Sequence, residues 1–324
     1  MSSDRPTRAT SDGRAYLDLQ SLARRTGRAT DDLMRLYALE GLLARLAVSR
    51  HAAQLVLKGG GLLAAYGTRR ATRDIDLQAR QVTNELGTVL TMIREIAGIT
   101  IDDGLTYAAE AAAVRAIRQD DAYQGVRVAL VCSLVTARIS LHVDVNVGDP
   151  IWPAPRAITI PGLLGRDVTL TGYPLAMVHA EKIVTAVERG PTTTRWRDFA
   201  DIYALSARHP VHGHELVGSI ARVAEFRGIA PRPLADVLRD WQTTPPPAWV
   251  TWRRNQLLDG VPRDFAEVLD SVTAFADPAL TREAVHKTWD PLNRSWTSDQ
   301  PTEPILPGRL PRGSALRSGR PHPG

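Results

Sequence analysis

Cysteine is almost absent from this 324-residue chain, which contains only Cys132. A single cysteine excludes a disulfide scaffold and a zinc site built from several thiolates, and it is typical of a reducing compartment. Long apolar runs are also missing, since no stretch approaches the ~20 residues that cross a bilayer. The first residues lack the apolar segment of a secretory signal. These absences predict a cytoplasmic protein that has no membrane partner.

Lysine is scarce in an otherwise basic chain. Of the 40 basic residues only three are lysines, Lys58, Lys182 and Lys287. The ammonium of lysine is a compact point charge, whereas the guanidinium of arginine is a planar fork. In an arginine-rich chain, a lysine can therefore mark a site that requires the compact charge. The net charge of +5 is only weak evidence for a nucleic-acid partner. Residues 301–324 hold four arginines and one glutamate, so more than half of that net charge lies in the last 24 residues.

Apolar spacing predicts a mixed α/β first half and a helical second half. Two helices are expected between Tyr16 and Val48, and a third over residues 84–97. Strands are expected over residues 55–57, 74–77, 112–118, 126–132 and 138–147. Beyond Pro161 the strand signal fades, and helices are expected over residues 174–189, 196–206, 212–227, 231–240 and 262–275. Five tryptophans in the last third of the chain suit helix packing better than base stacking.

The main chemical motif joins a glycine turn to two carboxylates. Residues 57–61 read Leu-Lys-Gly-Gly-Gly, and Asp74 and Asp76 follow two apart on a strand. Residues two apart on a strand share a face, so both carboxylates emerge together and favour a hard divalent cation such as Mg²⁺. Backbone N–H groups of a turn that opens a helix suit phosphate. The combination predicts metal-assisted phosphoryl or nucleotidyl transfer.

The segment LVLKGGGLLAAYGTRRATRDIDL (55–77) resembles the first motif of the abortive-infection AbiE-type (AbiEii/AbiGii) nucleotidyltransferase toxins. The chain is also similar to MenT-type toxins. These toxins belong to the polymerase-beta-like nucleotidyltransferase superfamily, whose pattern is glycine-serine followed by Asp-x-Asp. Gly60 matches the glycine. Gly61 stands where serine or threonine is usual, so the backbone amides would hold the triphosphate without that hydroxyl.

A second motif supports the resemblance. His179-Ala-Glu-Lys182 is followed by Arg195-Trp-Arg-Asp198-Phe-Ala-Asp201, and the family carries an Ala-Glu-Lys helix and then an Arg-Asp-x-x-Asp helix. Lys182 can reach a triphosphate as a point charge. Asp198 can position that lysine or act as a base toward the acceptor hydroxyl. From the residues alone, a surface Lys–Asp bridge between packed helices is the alternative.

A third carboxylate is often present in the superfamily on a later strand. Asp144 is the best match, because the alternation over residues 138–147 places it on the polar face with His142. The alternative is a solvent-exposed polar sheet face without a catalytic role. His142 and His179 do not have the spacing of a zinc pair.

The resemblance implies an α/β nucleotidyltransferase fold with a mixed sheet. Together with the polar, proline- and glycine-rich composition of the ends, it divides the chain into a disordered segment (1–12), a nucleotidyltransferase domain with N-terminal helices (13–160), a helical domain that completes the active site (161–295) and a disordered tail (296–324). It implies a phage-defence toxin that transfers a nucleotidyl group from an NTP to an acceptor, with the 3′ end of tRNA as the expected acceptor, and it implies a cognate antitoxin as partner.

The resemblance also implies a role for each residue of these motifs. Asp74, Asp76 and Asp144 would hold Mg²⁺ or Mn²⁺, and Lys182 and Asp198 would complete the catalytic set. Nucleotide contacts would come from five residues of the first motif, Lys58, Gly59, Gly60, Gly61 and Arg73. A small-molecule nucleotidyltransferase and a non-catalytic nucleotide- or RNA-binding protein remain the alternatives.

Overall fold

An eight-stranded mixed sheet lies at the centre of the protein, whose computed structural model describes residues 6–70, 72–119, 123–190, 195–239, 247–256 and 260–299. Its strands are β1 (Leu55–Lys58), β2 (Asp74–Ala79), β3 (Thr106–Tyr107), β4 (Ala113–Gln119), β5 (Tyr123–Leu134), β6 (Ala137–Val147), β7 (Arg156–Ile160) and β8 (Val168–Gly172). Their order is β3-β5-β6-β2-β1-β8-β7, and β4 also pairs with β5. β2 runs parallel to β6 and β1 parallel to β8, whereas the other pairs are antiparallel.

Helices cover the sheet and form most of the C-terminal half. They are α1 (Ser11–Thr26), α2 (Thr30–Val48), α3 (Gly59–Leu62), α4 (Leu86–Ala97), α5 (Leu175–Arg189), α6 (Trp196–Ser206), α7 (Gly213–Arg227), α8 (Leu234–Val237), α9 (Pro247–Asn255) and α10 (Phe265–Leu280). Three short strands form a second sheet in the order β11-β10-β9, namely β9 (Val211–His212), β10 (Lys287–Asp290) and β11 (Ser295–Ser298). The predicted mixed α/β class is confirmed.

The alternation in β6 decides which side of the sheet is packed. Leu141, Val143 and Val145 are buried and lie on the face that α2 covers, whereas His142 and Asp144 lie on the other face. Burial of each such side chain contributes about 1.5–3 kcal/mol. The polar face is thereby left available for the carboxylates of β2 and β6.

The C-terminal helices enclose a second part of the core, built around tryptophan. Trp249 and Trp289 are fully buried, and their indole N–H groups donate to the carbonyls of Arg263 and Ser206 at 2.9 and 2.8 Å. Phe275 of α10 packs edge-on against Trp289. These two tryptophans therefore pack helices rather than present a surface to bases.

The structure corrects the predicted segment boundaries. α1 begins at Ser11, inside the 1–12 segment that composition predicted as disordered, because the Thr10 hydroxyl accepts from the Gly13 amide and caps the helix. The predicted boundary between residues 160 and 161 separates β7 from β8, although the two strands pair as an antiparallel hairpin. β8 forms a strand because buried Val168 and Leu170 alternate with threonines. The 161–295 segment predicted as a helical domain therefore also contains strands, although α5 to α10 make up most of it.

The predicted tail begins too early as well. β11 extends to Ser298 and pairs with β10, with Trp296 opposite Trp289, so residues 296–298 are part of the second sheet. The rest of the predicted tail, from residue 300 on, lies outside the described residues. In the part of the chain that is described, no helix combines the length and the apolar character that crossing a membrane requires.

Candidate active site

Three carboxylates occupy neighbouring positions on the polar face of the central sheet. Asp74 and Asp76 lie two apart on β2, and the parallel register places Asp76 beside Asp144 of β6. Because paired residues of adjacent strands point to the same side, the three carboxylates share one face. The structure thus brings together the three acidic residues that the sequence predicted as metal ligands.

Asp76 is the carboxylate that lacks a close partner. Within the described part of the chain it makes no ion pair and no hydrogen bond, although the Lys58 ammonium lies near enough to lower its pKa. Burial and the charges of Asp144 and Asp74 outweigh that effect and raise the pKa of Asp76. A half-buried anion beside two others is stabilised by a hard cation that prefers oxygen ligands, so the donor chemistry here fits Mg²⁺ or Mn²⁺.

Arginine already occupies part of this carboxylate cluster. Arg127 of β5 donates two hydrogen bonds to the two oxygens of Asp144, at 2.6 and 2.5 Å, and its guanidinium lies 4.0 Å from Asp74. His142 lies 3.0 Å from the other oxygen of Asp74. As the side chains stand, no group of three or more His, Cys, Asp or Glu in the described ranges is close enough to hold a metal ion.

The glycine turn is shaped by its contact with Asp76. Gly59 has a φ of 66°, the left-handed region that glycine favours, and a Cβ there would overlap the Asp76 carboxylate. A Cβ on Gly60 would crowd the Thr72 hydroxyl at 2.9 Å. Gly61 is different, because its nearest neighbour would be Leu57 at 3.8 Å. Packing therefore requires glycine at 59 but leaves room for a side chain at 61.

Lys58 is buried at the end of β1 and bridges two elements. Its ammonium donates to Asp149 at 2.8 Å and to Glu181 of α5 at 3.0 Å. Burial alone would lower the pKa of this lysine, but the charges of Glu181 and Asp149 raise it well above the usual value. Lys58 thus ties the first motif to the second, beside Tyr173, whose ring lies 5.6 Å from the ammonium.

Lys182 and Asp198 form a buried ion-pair network with Asp201. The Lys182 ammonium donates to Asp198 at 2.9 Å and to Asp201 at 2.7 Å. Arg195 forms an ion pair with Asp198 at 2.7 Å. Arg70 donates one hydrogen bond to each carboxylate oxygen of Asp201, at 3.1 and 3.2 Å. The alternative of a solvated surface bridge is excluded, because both aspartates are buried.

The protonation of Asp198 bears on its role. Burial opposes its ionisation, but Lys182 and Arg195 lower the pKa of Asp198 to about 2. A carboxylate with so low a pKa is a weak base near neutral pH. The hydrogen bond from Lys182 and this low pKa suit the positioning of Lys182 better than proton abstraction, and the role itself stays a prediction.

These groups face one another across a cleft of about 250 Å³. Asp76, Asp144, Lys58, Lys182 and Asp198 all line it, together with Gly59. Its ionisable side chains include as many acids as bases, the acids being Asp76, Asp144, Asp149, Glu181, Glu188 and Asp198 and the bases Lys58, Arg127, Lys182, Arg189, Arg195 and Arg227. The cleft can thus hold both a cation and a polyanion.

Some of the predicted nucleotide-binding residues lie outside this cleft. Gly60 and Gly61 line a separate small pocket beside α2, together with Arg70 and Thr72. Arg73 is exposed and lines neither pocket. Asp74 lies at the edge of the carboxylate cluster, turned toward His142.

A family model described as the nucleotidyl transferase AbiEii toxin of a type IV toxin–antitoxin system matches residues 41–285, well over half of the chain. The chain belongs to the AbiEii toxin family. It is therefore an NTP-dependent nucleotidyltransferase and the toxin of a toxin–antitoxin pair, which has an antitoxin as its partner. The resemblance seen in the two motifs is confirmed.

Two solved structures align with this AbiEii chain. JHP933 from Helicobacter pylori is 15% identical, with a TM-score of 0.47 and coverage of 79% of this chain and 96% of that chain. A second H. pylori protein, described as a candidate nucleotidyltransferase, is 16% identical, with a TM-score of 0.43 and coverage of 76% and 94%. No curated protein matches the sequence.

Sequence reasoning missed three participants in the AbiEii cleft. Arg127 lies directly opposite Asp144 in the β5–β6 hairpin, and the register of that hairpin is the signal that could have found it. Asp149 and Glu181 are the carboxylates that hold Lys58. Their sequence separations from Lys58 are long, so no local pattern indicates them.

Proposed function

We propose that this toxin transfers a nucleotidyl group from an NTP to the 3′ end of an RNA, with tRNA as the acceptor, in a reaction that requires Mg²⁺ or Mn²⁺. The 3′-hydroxyl oxygen attacks the α-phosphorus, the bond to the bridging oxygen breaks, and pyrophosphate leaves. The biological role we infer is phage defence by abortive infection. The single observation that supports this proposal is the cleft in which the carboxylates of β2 and β6 face Lys182.

The carboxylates supply one side of that chemistry. Asp74, Asp76 and Asp144 would hold the divalent cation, and the unpaired state of Asp76 supports this assignment. When bound, such a cation polarises the α-phosphate and neutralises charge that develops on the leaving group. The close approach of Gly59 to Asp76 brings the backbone of the glycine turn beside the carboxylates.

The basic residues supply the other side. Lys182 is half-buried, and Asp198 and Asp201 hold its ammonium in place, so it offers a fixed positive charge to a triphosphate at little cost in side-chain entropy. Lys58 is held in the same way by Asp149 and Glu181. Preorganised charge of this kind is the main source of transition-state stabilisation in phosphoryl transfer.

The decisive experiment is an incorporation assay with purified protein, Mg²⁺ or Mn²⁺, each labelled NTP and total tRNA. Label at the RNA 3′ end is expected with the wild type. Asp76→Asn should abolish it, because an isosteric amide keeps the shape but cannot neutralise a cation. Asp270→Asn, which removes an exposed carboxylate of α10 outside the cleft, is the matched control and should retain full activity.

The assay also separates the two alternatives. Label that appears in small molecules of a cell extract and not in RNA would support an antibiotic-type nucleotidyltransferase. RNA or NTP binding without any label would support a non-catalytic protein. Full incorporation by Asp76→Asn would refute the assignment of the carboxylates.

A further inference from the structure

The carboxylate cluster holds its own cation in the form of Arg127. The guanidinium makes a bidentate pair with Asp144 and lies within ion-pair distance of Asp74. Bidentate pairs of this geometry are the strongest and most directional of side-chain ion pairs. Both oxygens of Asp144 are therefore engaged, and the positive charge stands between Asp144 and Asp74.

A divalent cation at Asp144 would compete with this arrangement. Binding through Asp144 requires at least one of the oxygens that Arg127 now holds, and the guanidinium would repel a second positive charge a few ångströms away. Metal binding and the Arg127–Asp144 pair are therefore competing states. Only molecules in which the Arg127–Asp144 pair is open bind the metal readily. The apparent metal affinity therefore falls as the fraction of molecules with a closed pair rises.

A guanidinium released from Asp144 could bind the phosphate oxygens of a nucleotide in the same cleft. Arg127 lines the same cleft as Lys182, and its side chain is 24% exposed, so it is not locked by packing. The planar fork that fits a carboxylate also fits two oxygens of a phosphate. An NTP in the cleft would bring such oxygens, and the metal ion bound with it would compete with Arg127 for Asp144.

We propose that Arg127 is a phosphate-binding residue held in reserve by Asp144, which couples metal binding to nucleotide binding. Without nucleotide the guanidinium neutralises the carboxylates and keeps the metal affinity low. With nucleotide it exchanges Asp144 for the triphosphate and leaves the carboxylate to the metal. The inference rests on the proposed metal-dependent function and assigns a residue to that site.

Two binding measurements test this coupling. The first is the affinity for Mn²⁺ alone, followed by electron paramagnetic resonance on nucleotide-free protein. Arg127→Met is expected to bind Mn²⁺ at least about fivefold more tightly than the wild type, the lower end of typical coupling between sites. The second is the affinity for each NTP at saturating Mn²⁺, which the same substitution should weaken at least about fivefold.

The opposite signs of the two effects identify the mechanism, since a substitution that only disturbs the fold would weaken both. Arg115→Met is the matched control. Arg115 lies directly opposite Arg127 on β4 and is exposed outside the cleft, so its removal takes away the same charge one strand further out. Both affinities should stay within about twofold of the wild type.

Arg127→Lys provides a second variant that keeps the charge and loses the fork. It is expected to fall between the wild type and Arg127→Met in both measurements, and it remains informative where the methionine variant does not fold. Equal Mn²⁺ affinity in the wild type, Arg127→Met and Arg127→Lys would overturn the inference.

An Asp76→Asn variant distinguishes that failure from failure of the proposed function. If Mn²⁺ binds the wild type and Asp76→Asn abolishes binding, the metal site stands even where Arg127 has no effect. If Mn²⁺ binds none of these proteins, both the metal assignment and the role of Arg127 are overturned.

Discussion

His179 gives the protein a stability that depends on pH, and its removal is expected to flatten that dependence. The imidazole lies fully buried on α5, with its ring centroid 4.7 Å from that of Phe275. Neither ring nitrogen has a hydrogen-bond partner among the residues that the structure describes. Burial, with a smaller effect from the Lys182 charge, lowers the pKa of His179 to about 3.

The sign and size of the effect follow from linkage. In the unfolded chain an imidazole titrates near pH ~6.5, so between that value and about 3 the unfolded state binds a proton that the folded state does not. The contribution to stability is therefore complete above pH ~6.5 and is lost as the pH falls toward the folded pKa. Lowering the pH to about 4.5 costs roughly 3 kcal/mol from this residue alone.

Urea denaturation at several pH values between about 7.5 and 4.5 measures the effect, with His179→Met as the variant. Methionine fills a similar volume without a polar atom, so removal of the unpaired nitrogens should stabilise the fold by about 1–2 kcal/mol at neutral pH. That advantage should grow by roughly 3 kcal/mol at the acidic end. His214→Gln, at an exposed histidine, should keep the slope of the wild type. Parallel stability curves for the wild type and His179→Met would refute the reasoning.

Three further substitutions test the candidate site. Gly59→Ala places a Cβ at a φ of 66° and against the Asp76 carboxylate, so urea denaturation should show a loss of about 1–2 kcal/mol and the incorporation assay a loss of transfer; a fully active variant would contradict this. Lys182→Met should reduce NTP incorporation roughly 100-fold, with only partial rescue by Lys182→Arg, and undiminished activity would leave the lysine a structural role alone. Asp201→Asn leaves Arg70 and Lys182 without a shared buried counter-charge, which should cost about 3–5 kcal/mol of unfolding free energy; a measured cost below about 1 kcal/mol would show that the network is solvated.

The elements that sequence analysis predicts well are those with a strong local period. β6 alternates along its length, and the helix predicted over residues 196–206 matches α6. β8 was missed because it has five residues and two threonines, so its two buried side chains do not stand out against the surrounding loops. The short strands β9 and β10 were missed for a similar reason, because their pairing with each other defines them more than their own residues do.

The site shows the same division between local and distant information. Asp74 and Asp76 are recognisable from a spacing of two on a strand, and Asp144 from its place in the alternation. The pairing of Lys58 with Glu181 joins residues that are 123 positions apart, and only the assembled sheet places them in contact. The same holds for Arg70 and Asp201, because Arg70 lies in the loop before β2 and Asp201 lies on α6.

The position of β8 has a consequence for how the toxin comes off the ribosome. β8 pairs with β1 near the middle of the sheet and leads through Tyr173 directly into α5, the helix of Lys182. A nascent chain that ends before this point holds the acidic strands but leaves the edge of β1 uncovered and the lysine unmade. Contacts that join such distant parts of a chain form late in folding. A translation product that ends before α5 therefore lacks Lys182 and Asp198 and cannot assemble the cleft.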